Sequence, residues 1–376
     1  MVCESFKKKT ISVLLPTLNG GGAERSMVQL ANGLASAGLN VQLVAVLNAD
    51  GPYRSEIADN VCLVNLGARR FRYLPIALYQ YMKENHPNII ITALMNSWVL
   101  LVTKLTRLPM KIIISERTVF SEQYQRNADL LSRATILLSH KLYPLADRIV
   151  TVSFGVANDL LDSGLAREEQ LRTIYNPVVN GQFRKMLAAK QDTMLLNTEK
   201  RNFIAAGRLH DVKDYPTLLK AFAMVRKEIN SQLLILGEGA SRAFLEEMVW
   251  ELGIQEDVLL PGFVQNPFPY IAEADCFVLS SKFEGLSGVL IQALACGTTV
   301  VATDCPGGNA EILDHGKYGT LIPVGDVEAL AEAMKSALLW PFPPDVLKRR
   351  AEMFSEERCV AEYINLFNEL MSDKGL

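Results

Sequence analysis

The sequence predicts an α/β protein with two doubly wound parallel β-sheets, one after the other along the chain. Two observations lead to this prediction. Short apolar runs alternate with longer segments of helical periodicity, and each run is continuously apolar, as expected for parallel strands that are covered on both faces. In addition, a chain of 376 residues, 49% hydrophobic and 21% charged, is long enough for two cores of ordinary size.

Each apolar run predicts one strand. In the first half the strands are predicted at 11–15, 41–47, 61–66, 89–92, 111–115, 148–152 and 171–175. In the second half they are predicted at 202–206, 232–237, 258–260, 276–280, 299–303 and 319–322. Helical segments separate most of these strands, which is the alternation typical of doubly wound sheets.

Two features divide the chain into domains. Asn176-Pro177 ends the alternation of the first half, and a polar stretch at 188–201 leads into the second half. We therefore predict an N-terminal Rossmann-like domain at 1–178 and a C-terminal Rossmann-like domain at 179–355.

The C-terminal segment, 356–376, is predicted to form a single amphipathic helix. Ser355-Glu356-Glu357 has the pattern of a helix start. Apolar residues at helical spacing follow this start, namely Tyr363, Leu366, Phe367 and Leu370.

Charge is unevenly distributed along the chain. Of the 38 Lys and Arg and the 41 Asp and Glu, residues 1–178 hold 19 and 14, so the N-terminal domain is basic and the remainder acidic. Arg69, Arg70 and Arg72 are interleaved with Phe71, Tyr73 and Leu74. This combination suits an anionic membrane surface, although an ordinary solvated face has the same composition. A net charge of −3 and the lack of a recognised binding motif argue against nucleic acid as a partner.

The sequence predicts neither a membrane-spanning segment nor an export signal. The uncharged stretches at 26–49 and 285–303 contain polar residues and are broken by Gly38 and Gly297. The segment 1–9 is polar and basic and has no apolar core. We therefore expect a cytoplasmic protein.

The sequence does not predict a metal centre. The six cysteines form no Cys-x-x-Cys pair, the four histidines are scattered, and there is no Asp-x-Asp motif. We expect the cysteines to be structural thiols in a reducing cytosol.

A glycine-rich turn, Gly20-Gly21-Gly22, follows the first strand and opens a helix that contains Glu24 and Arg25. Glycines let the backbone approach a ligand, and a helix start offers free N–H groups to an anion. The signal is weak by itself, because a plain tight turn has the same composition. A dinucleotide fingerprint would require glycine where Arg25 stands, so the turn does not favour a dehydrogenase.

The most specific pattern lies in the second half. A buried strand leads through Gly207 to Arg208, and Lys213 follows five residues later, just before an apolar helix. A second strand-to-helix turn carries Glu284. The carboxyl ends of parallel strands meet at one edge of the sheet, where ligands bind. Two cations and a carboxylate at that edge suit a diphosphate that carries a sugar, with the cations on the phosphates and the carboxylate on the hydroxyls.

These residues resemble the nucleotide-sugar half of the retaining glycosyltransferases of family 4, which have the two-domain GT-B fold. The resemblance covers nearly the whole chain and is most specific from residue 203 to residue 326. It implies two Rossmann-like domains that face each other across a cleft, with one ligand on each side. It also implies that the last helix crosses back to the N-terminal domain.

The resemblance implies catalytic roles for three residues. Arg208 and Lys213 match the family's cations that hold the diphosphate of the leaving nucleotide, and Glu284 matches the carboxylate that contacts the donor sugar. Fixed cations stabilise the charge that develops on the departing phosphate. The other implied donor-binding residues are Gly207, Phe263, Val264, Gly285, Leu286, Gln292 and Gly307.

Two of these groups have a specific expected geometry. We expect the N–H groups of Gly285 and Leu286 to open a helix and to contact a phosphate. Phe263 and Val264 lie in a stretch that resembles the family's base-binding loop, although a loop with packed apolar residues has the same composition.

Two positions depart from the family pattern. Gln292 stands where a second glutamate is expected, and its amide can bind a diol only without charge. Arg117 stands near the position of a histidine in many relatives, and it cannot act as a base. We assign Glu116 and Arg117, with the glycine-rich turn and Glu24, to an acceptor or phosphate loop. Arg117 would hold an acceptor phosphate there, or would form a surface pair with Glu116.

The resemblance implies a retaining hexosyl- or N-acetylhexosaminyltransferase. The expected donor is a nucleotide sugar with UDP as the nucleotide, and the expected acceptor is a lipid-linked saccharide in the assembly of a surface polysaccharide such as O-antigen or capsule. No cofactor and no metal are expected, and the protein is expected on the inner face of the cytoplasmic membrane as a peripheral protein. Two alternatives stay open: a non-catalytic nucleotide-sugar-binding subunit, and a GT-B enzyme of another reaction such as a nucleotide-sugar epimerase.

Overall fold

The computed structural model describes residues 9–19, 21–68, 73–125, 137–189 and 193–372. The chain forms two compact units. The first unit contains Met1–Pro177 and Glu356–Leu376, and the second unit contains Val178–Ser355. Each unit is built on one parallel β-sheet.

The described part of the first unit has a seven-stranded parallel sheet in the order β3-β2-β1-β4-β5-β6-β7. Chain order reverses between β1 and β4, so the carboxyl ends of these two strands mark a switch point. The strands are β1 (Thr10–Thr17), β2 (Asn40–Asn48), β3 (Cys62–Asn65), β4 (Ile89–Thr92), β5 (Lys111–Glu116), β6 (Arg148–Thr151) and β7 (Leu171–Thr173). The helices are α1 (Gly22–Ser36), α2 (Leu74–Asn85), α3 (Asn96–Thr106), α4 (Phe120–Gln125), α5 (Phe154–Asp162) and, at the C-terminus, α14 (Glu356–Ser372).

Apolar side chains pack on both faces of this sheet, because successive residues of a strand point to opposite sides. On one face Val13 packs with Leu34 of α1 and Phe367 of α14. On the other face Leu14 packs with Leu78 of α2 and with residues of α3. The continuous apolar runs of the sequence thus correspond to strands that are buried on both sides.

The C-terminal helix α14 packs on α1 within the first unit. A Cβ atom at Gly33 of α1 would lie 2.7 Å from a methyl carbon of Val360 and 3.0 Å from Glu356. Tyr363 and Leu366 of α14 are buried in the same apolar layer as β1. Glycine at position 33 therefore permits the close approach of the two helices.

The described part of the second unit has a six-stranded parallel sheet in the order β10-β9-β8-β11-β12-β13. Chain order reverses between β8 and β11. The strands are β8 (Arg201–Ala206), β9 (Ser231–Leu236), β10 (Val258–Gly262), β11 (Cys276–Leu279), β12 (Val300–Thr303) and β13 (Thr320–Ile322). The helices are α6 (Gly181–Ala188), α7 (Tyr215–Glu228), α8 (Arg242–Glu251), α9 (Phe268–Glu273), α10 (Gly288–Cys296), α11 (Asn309–Ile312), α12 (Val327–Leu339) and α13 (Pro344–Ala351).

A buried ion cluster lies at the amino end of this sheet. Asp257, directly before β10, is 5% exposed, accepts a hydrogen bond of 2.6 Å from Lys200 Nζ and forms an ion pair with Arg226. Burial alone would raise the pKa of Asp257, but the hydrogen bonds and charges of Lys200 and Arg226 outweigh it and lower the pKa. These charges serve the fold, at the edge opposite to the ligand edge.

The predicted fold class is confirmed in both units. Each of the predicted strands is present, and its ends agree with the structure to within two residues. The helix predicted to begin at Glu356 begins there.

Candidate functional site

The ligand edge of the second unit is formed by the carboxyl ends of β8 and β11, the two strands at its switch point. Gly207 directly follows β8, and Ser280 and Ser281 directly follow β11. A Cβ atom at Gly207 would lie 3.1 Å from Lys213 Cε and 3.2 Å from the Tyr215 hydroxyl. Glycine at this position leaves room for the lysine side chain beside the end of β8.

Two further glycines hold the loop after β8 close to the loop after β9. Gly237 has φ +145°, and a Cβ atom there would lie 2.0 Å from the carbonyl oxygen of Gly207. A Cβ atom at Gly239 would lie 2.2 Å from the carbonyl oxygen of Leu209. No side chain fits at either position, so the backbone beside Arg208 is fixed by direct backbone packing. Sequence reasoning missed Gly237 and Gly239, although the Gly-Glu-Gly triplet after a strand is a detectable signal.

Lys213 and Glu284 meet at this edge. Lys213 Nζ donates a hydrogen bond of 2.6 Å to Glu284 Oε1, and both side chains are less than one fifth exposed. The two residues are 71 positions apart in sequence and lie after different strands. The structure therefore brings together one predicted cation and the predicted carboxylate as an ion pair.

Glu284 is held from several directions. Its backbone N–H donates to the carbonyl of Pro306 at 3.0 Å, and it forms a parallel bridge with Gly307. Its Oε1 also accepts a hydrogen bond of 2.7 Å from Ser281 Oγ. Gly307 thus lies beside the carboxylate, at the edge where the sequence predicts it.

The charge of Glu284 affects its buried neighbours. Burial, and secondarily the nearby carboxylate, raises the pKa of the Tyr215 phenol. The same two causes raise the pKa of the Cys305 thiol to about 12, with burial again the larger. Both groups are therefore neutral at physiological pH.

Arg208 differs from Lys213 in being exposed. Within the described ranges its side chain takes part in no hydrogen bond and no ion pair. Its backbone carbonyl accepts from the N–H of His210, and the loop continues through a short 3₁₀ turn, Asp211–Lys213. An unpaired guanidinium thus extends from the same loop that carries the paired Lys213.

The helix after Glu284 begins later than predicted. Helix α10 begins at Gly288, with Ser287 as its N-cap residue, so Gly285 and Leu286 lie in the preceding loop. The prediction that their N–H groups open the helix is wrong, because the chain makes the bridge at Glu284 before it can turn into a helix. The free N–H groups of the first turn belong to residues 288–290. Gln292 lies one turn into α10 and is half-buried.

The stretch after β10 places an aromatic ring in solvent. Phe263 directly follows the strand and is 77% exposed, while Val264 is half-buried. Gly262 has φ +90°, and a Cβ atom there would lie 2.6 Å from Glu238 Oε1. An exposed phenylalanine on a fixed loop can stack on a planar ligand.

The glycine-rich turn of the first unit is closed over by its own glutamate. Gly20 lies outside the described residues, Gly21 is the N-cap of α1, and Gly22 is its first residue. A Cβ atom at Gly21 would lie 2.0 Å from Glu24 Oε2. The carboxylate of Glu24 therefore lies back over the turn, close to the N-terminus of α1, where the helix dipole favours negative charge. Arg25 pairs with Glu56 at 3.2 Å.

Glu116 is the last residue of β5 and is 8% exposed. Its Oε2 accepts hydrogen bonds from the Tyr143 hydroxyl at 2.8 Å and from Asn96 Nδ2 at 3.4 Å. Burial raises the pKa of Glu116 to about 7, although the hydrogen bonds from Tyr143 and the backbone of Arg117 oppose the shift. The nearby charge of Asp159 adds to it. Glu116 is thus a buried carboxyl group inside the unit.

Arg117 is engaged inside the first unit. Its Nε donates to Ser115 Oγ at 3.1 Å, and its two terminal nitrogens contact Asn176 Oδ1 and Met27 Sδ. Only its backbone N–H reaches the Glu116 carboxylate. The alternative of a surface pair between Arg117 and Glu116 is therefore wrong, because Glu116 is buried and the guanidinium is directed elsewhere.

The described residues contain neither a candidate metal cluster nor a candidate membrane-spanning helix. No group of three or more His, Cys, Asp and Glu side chains in this part of the chain is placed to hold a metal ion. No helix described here combines the length and the apolar character needed to cross a bilayer.

Two family models match the chain. The model for glycosyl transferases of group 1 matches residues 200–339, and the model for glycosyltransferase family 4 matches residues 20–179. Together they cover most of both units. The recognition of these motifs in the sequence is confirmed.

Two named relatives come from Campylobacter jejuni. The chain is 32% identical over 228 residues to N-acetylgalactosamine-N,N'-diacetylbacillosaminyl-diphospho-undecaprenol 4-alpha-N-acetylgalactosaminyltransferase, a match that covers 61% of this chain and 60% of the relative. The matched part thus spans less than two thirds of that relative. A second N-acetylgalactosaminyltransferase, also named for an undecaprenol-linked acceptor, is 27% identical over 340 residues, covering 87% of this chain and 88% of the relative.

A solved structure shows the same fold. Sucrose-phosphate synthase from Thermosynechococcus elongatus aligns with a TM-score of 0.80 at 21% identity, over 98% of this chain and 100% of that protein. The expected GT-B fold, with two Rossmann-like domains, is confirmed.

Proposed function

The chain belongs to the glycosyltransferases of group 1 and family 4, and on this premise we propose that it is a retaining hexosyl- or N-acetylhexosaminyltransferase. The donor is a nucleotide sugar, with UDP as the nucleotide. The acceptor is a lipid-linked saccharide in the assembly of a surface polysaccharide.

One observation carries the proposal: the loops after β8 and β11 present Arg208, Lys213 and Glu284 at the switch point of the second unit. A sugar diphosphate needs positive charge at the phosphates and a hydrogen-bond acceptor at the sugar hydroxyls. Arg208 is exposed and unpaired among the described contacts, and the Lys213 ammonium has donors beyond the one used by Glu284. These two cations suit the diphosphate, and Glu284 suits the sugar.

The transfer breaks the bond between the anomeric carbon and the β-phosphate oxygen and forms a bond between that carbon and an acceptor oxygen. For retention, the acceptor hydroxyl attacks from the face that the nucleotide leaves. Its proton passes to the departing phosphate oxygen. Negative charge grows on that phosphate in the transition state, so Arg208 and Lys213 stabilise the transition state more than the ground state. Glu284 holds the sugar in the reactive orientation.

Other residues complete the proposed donor site. Gly207 leaves space beside Lys213, and Gly307 forms a backbone bridge with Glu284. Phe263 offers a face for the base. Gln292 accepts from and donates to the ribose hydroxyls without adding charge. With two cations at the phosphates, we propose that transfer needs no metal and no cofactor.

Relatives and surface composition support a lipid-linked acceptor. The Campylobacter jejuni relatives are named for undecaprenol-linked acceptors. In the first unit, Tyr73, Ile76 and Tyr79 are exposed along α2, with Lys83 over the Tyr79 ring at 5.6 Å. An apolar and basic face of this kind suits the interface of an anionic membrane, so we propose peripheral contact with the inner face of the cytoplasmic membrane.

One residue of the predicted membrane surface is buried, and four others lie outside the described residues. Leu74 is fully buried and takes no part in this face. Arg69, Arg70, Phe71 and Arg72 lie outside the described residues.

The proposal is tested by transfer from radiolabelled UDP-, GDP- and ADP-sugars into the lipid fraction of bacterial membranes, with and without EDTA. We expect label from one UDP-sugar to enter lipid equally well in both conditions, and Glu284→Gln to abolish it while the protein stays folded. Transfer that Glu284→Gln leaves intact would refute the site. Nucleotide binding without any transfer would favour a non-catalytic subunit, and turnover of the nucleotide sugar without a lipid product would favour another GT-B reaction.

A further inference from the structure

We infer that Ser281 is a positioning residue, whose hydroxyl keeps the Glu284 carboxylate in place for the donor sugar while a diphosphate occupies Lys213. The inference rests on the proposed function. In the proposed site Ser281 contacts neither the phosphates nor the sugar. It acts through Glu284.

Ser281 is itself tightly held. Its side chain is fully buried, and its Oγ donates a hydrogen bond of 2.7 Å to Glu284 Oε1. Its backbone carbonyl accepts a hydrogen bond of 2.6 Å from Thr303 Oγ1, which is also fully buried. The serine hydroxyl is therefore fixed by the end of the neighbouring strand β12, and it can fix the carboxylate in turn.

The preceding serine acts on the other partner of the ion pair. Ser280 Oγ donates a hydrogen bond of 2.8 Å to the backbone carbonyl of Lys213, and the N–H of Lys282 donates to the carbonyl of Val212 at 2.8 Å. Two consecutive serines thus hold the lysine through its backbone and the glutamate through its carboxylate. The backbone of Lys213 is thus held from β11, while its side chain pairs with Glu284.

The two carboxylate oxygens of Glu284 have different roles. Oε1 accepts hydrogen bonds from Lys213 Nζ and Ser281 Oγ, whereas Oε2 takes part in no hydrogen bond or ion pair with the described residues. A diphosphate competes with Glu284 for the Lys213 ammonium, since both are anions. The neutral Ser281 hydroxyl is not part of this competition. It can remain on Oε1 and leave Oε2 directed to a sugar hydroxyl.

The test compares Ser281→Ala with Ser281→Thr, which keeps the hydroxyl, and with Ser231→Ala. Ser231 is fully buried and its Oγ donates to the carbonyl of Ile229 at 3.0 Å, at the opposite end of the same sheet. Ser231→Ala therefore removes an equally buried hydrogen bond away from the site. The readouts are binding of UDP, binding of the UDP-sugar that the wild-type protein transfers, and the kcat of transfer.

For Ser281→Ala we expect UDP affinity within about twofold of wild type, because the proposed site assigns the diphosphate to Arg208 and Lys213 and the sugar to Glu284. We expect the UDP-sugar affinity or kcat to fall about 10-fold to 100-fold, the value of a hydrogen bond to a charged group. Ser281→Thr should recover most of this loss, and Ser231→Ala should leave the ratio of UDP to UDP-sugar affinity unchanged.

Three outcomes would overturn the inference. One is a Ser281→Ala protein with wild-type UDP-sugar affinity and kcat, and another is an equal loss for UDP and UDP-sugar, which indicates a purely structural role. The third is a wild-type protein that binds neither ligand, which contradicts the proposed function itself. The wild-type measurement thus separates failure of the function from failure of the positioning role.

Discussion

The two sheets have the same kind of ligand edge, at the carboxyl ends of their strands, but the charged residues on that edge are engaged differently. In the second unit Lys213 and Glu284 pair at the ligand edge, and Arg208 stays unpaired among the described contacts. In the first unit the carboxyl edge of β5 carries Glu116 and Arg117, and both are bonded to groups inside the unit. The topology provides an edge for a ligand in both units, but of these described charges, those of the second unit are the ones that a ligand can take over.

The difference lies in what each charge would lose by binding a ligand. When a phosphate binds, the Lys213 ammonium exchanges one anionic partner, the Glu284 carboxylate, for another. Arg117 would first have to give up Ser115, Asn176 and Met27. The proposed phosphate role of Arg117 therefore costs internal contacts, whereas that of Arg208 costs none that the structure describes.

After the loss of transfer expected for Glu284→Gln, the largest expected effect is that of Lys213→Met. It removes a cation from the departing phosphate, so we expect kcat to fall about 100-fold to 1,000-fold. It also leaves Glu284 without its cation, so a lower melting temperature is expected as well. Lys213→Arg keeps the charge and serves as the control. Transfer assays and thermal unfolding measure both effects, and a Lys213→Met protein with wild-type kcat would contradict the phosphate role.

Glu116→Gln tests whether Glu116 is a buried carboxyl group whose ionisation destabilises the first unit. The folded-state pKa of about 7 lies above the ordinary value of 4.5. Protonated Glu116 therefore contributes its full stabilisation below about pH 4.5. This contribution is lost as the pH rises through 7, and the free energy of unfolding falls by about 3 kcal/mol.

A glutamine does not ionise, so Glu116→Gln should lose less stability than wild type between pH 5 and pH 8. Melting temperatures across this range measure the difference, with the exposed Glu84→Gln as control. The same pH dependence in wild type and Glu116→Gln would show that Glu116 is not the titrating group.

Arg208→Gln tests the contrast between Arg208, which has no described side-chain partner, and Arg117, which is bonded inside its unit. Because no described contact depends on the side chain, we expect an unchanged melting temperature and a loss of UDP affinity of about tenfold. Arg201→Gln is the matched control, since Arg201 lies at the opposite end of β8 and pairs with Asp275 at 3.0 Å. Calorimetric titration with UDP measures the affinity, and equal values for the two variants would exclude a phosphate contact at Arg208.

The smallest expected effect is that of Gln292→Glu. A carboxylate accepts from both ribose hydroxyls with charge-assisted hydrogen bonds, so UDP affinity should rise about threefold to tenfold. Gln292→Leu should lower it. Titration with UDP at constant ionic strength compares the three proteins, and no change in either variant would remove Gln292 from the ribose site.

The sequence was sufficient for the strands and for the edge at which the candidate residues lie. Continuous apolar runs locate the strands, and parallel topology sends their carboxyl ends to one side. It was not sufficient for contacts between residues far apart in sequence, such as Arg117 with Met27 and Asn176. The start of α10 is also predicted too early, because the bridge between Glu284 and Gly307 is a tertiary contact that no local sequence pattern indicates.

The most direct test of the donor site is a crystal structure of the protein with a UDP-sugar analogue in which carbon replaces the anomeric oxygen. The predicted result places the β-phosphate on Lys213 and Arg208 and a sugar hydroxyl on Glu284, with Ser281 Oγ still on the Glu284 carboxylate. A diphosphate bound elsewhere, with the Lys213–Glu284 pair intact and Arg208 in solvent, would contradict the account.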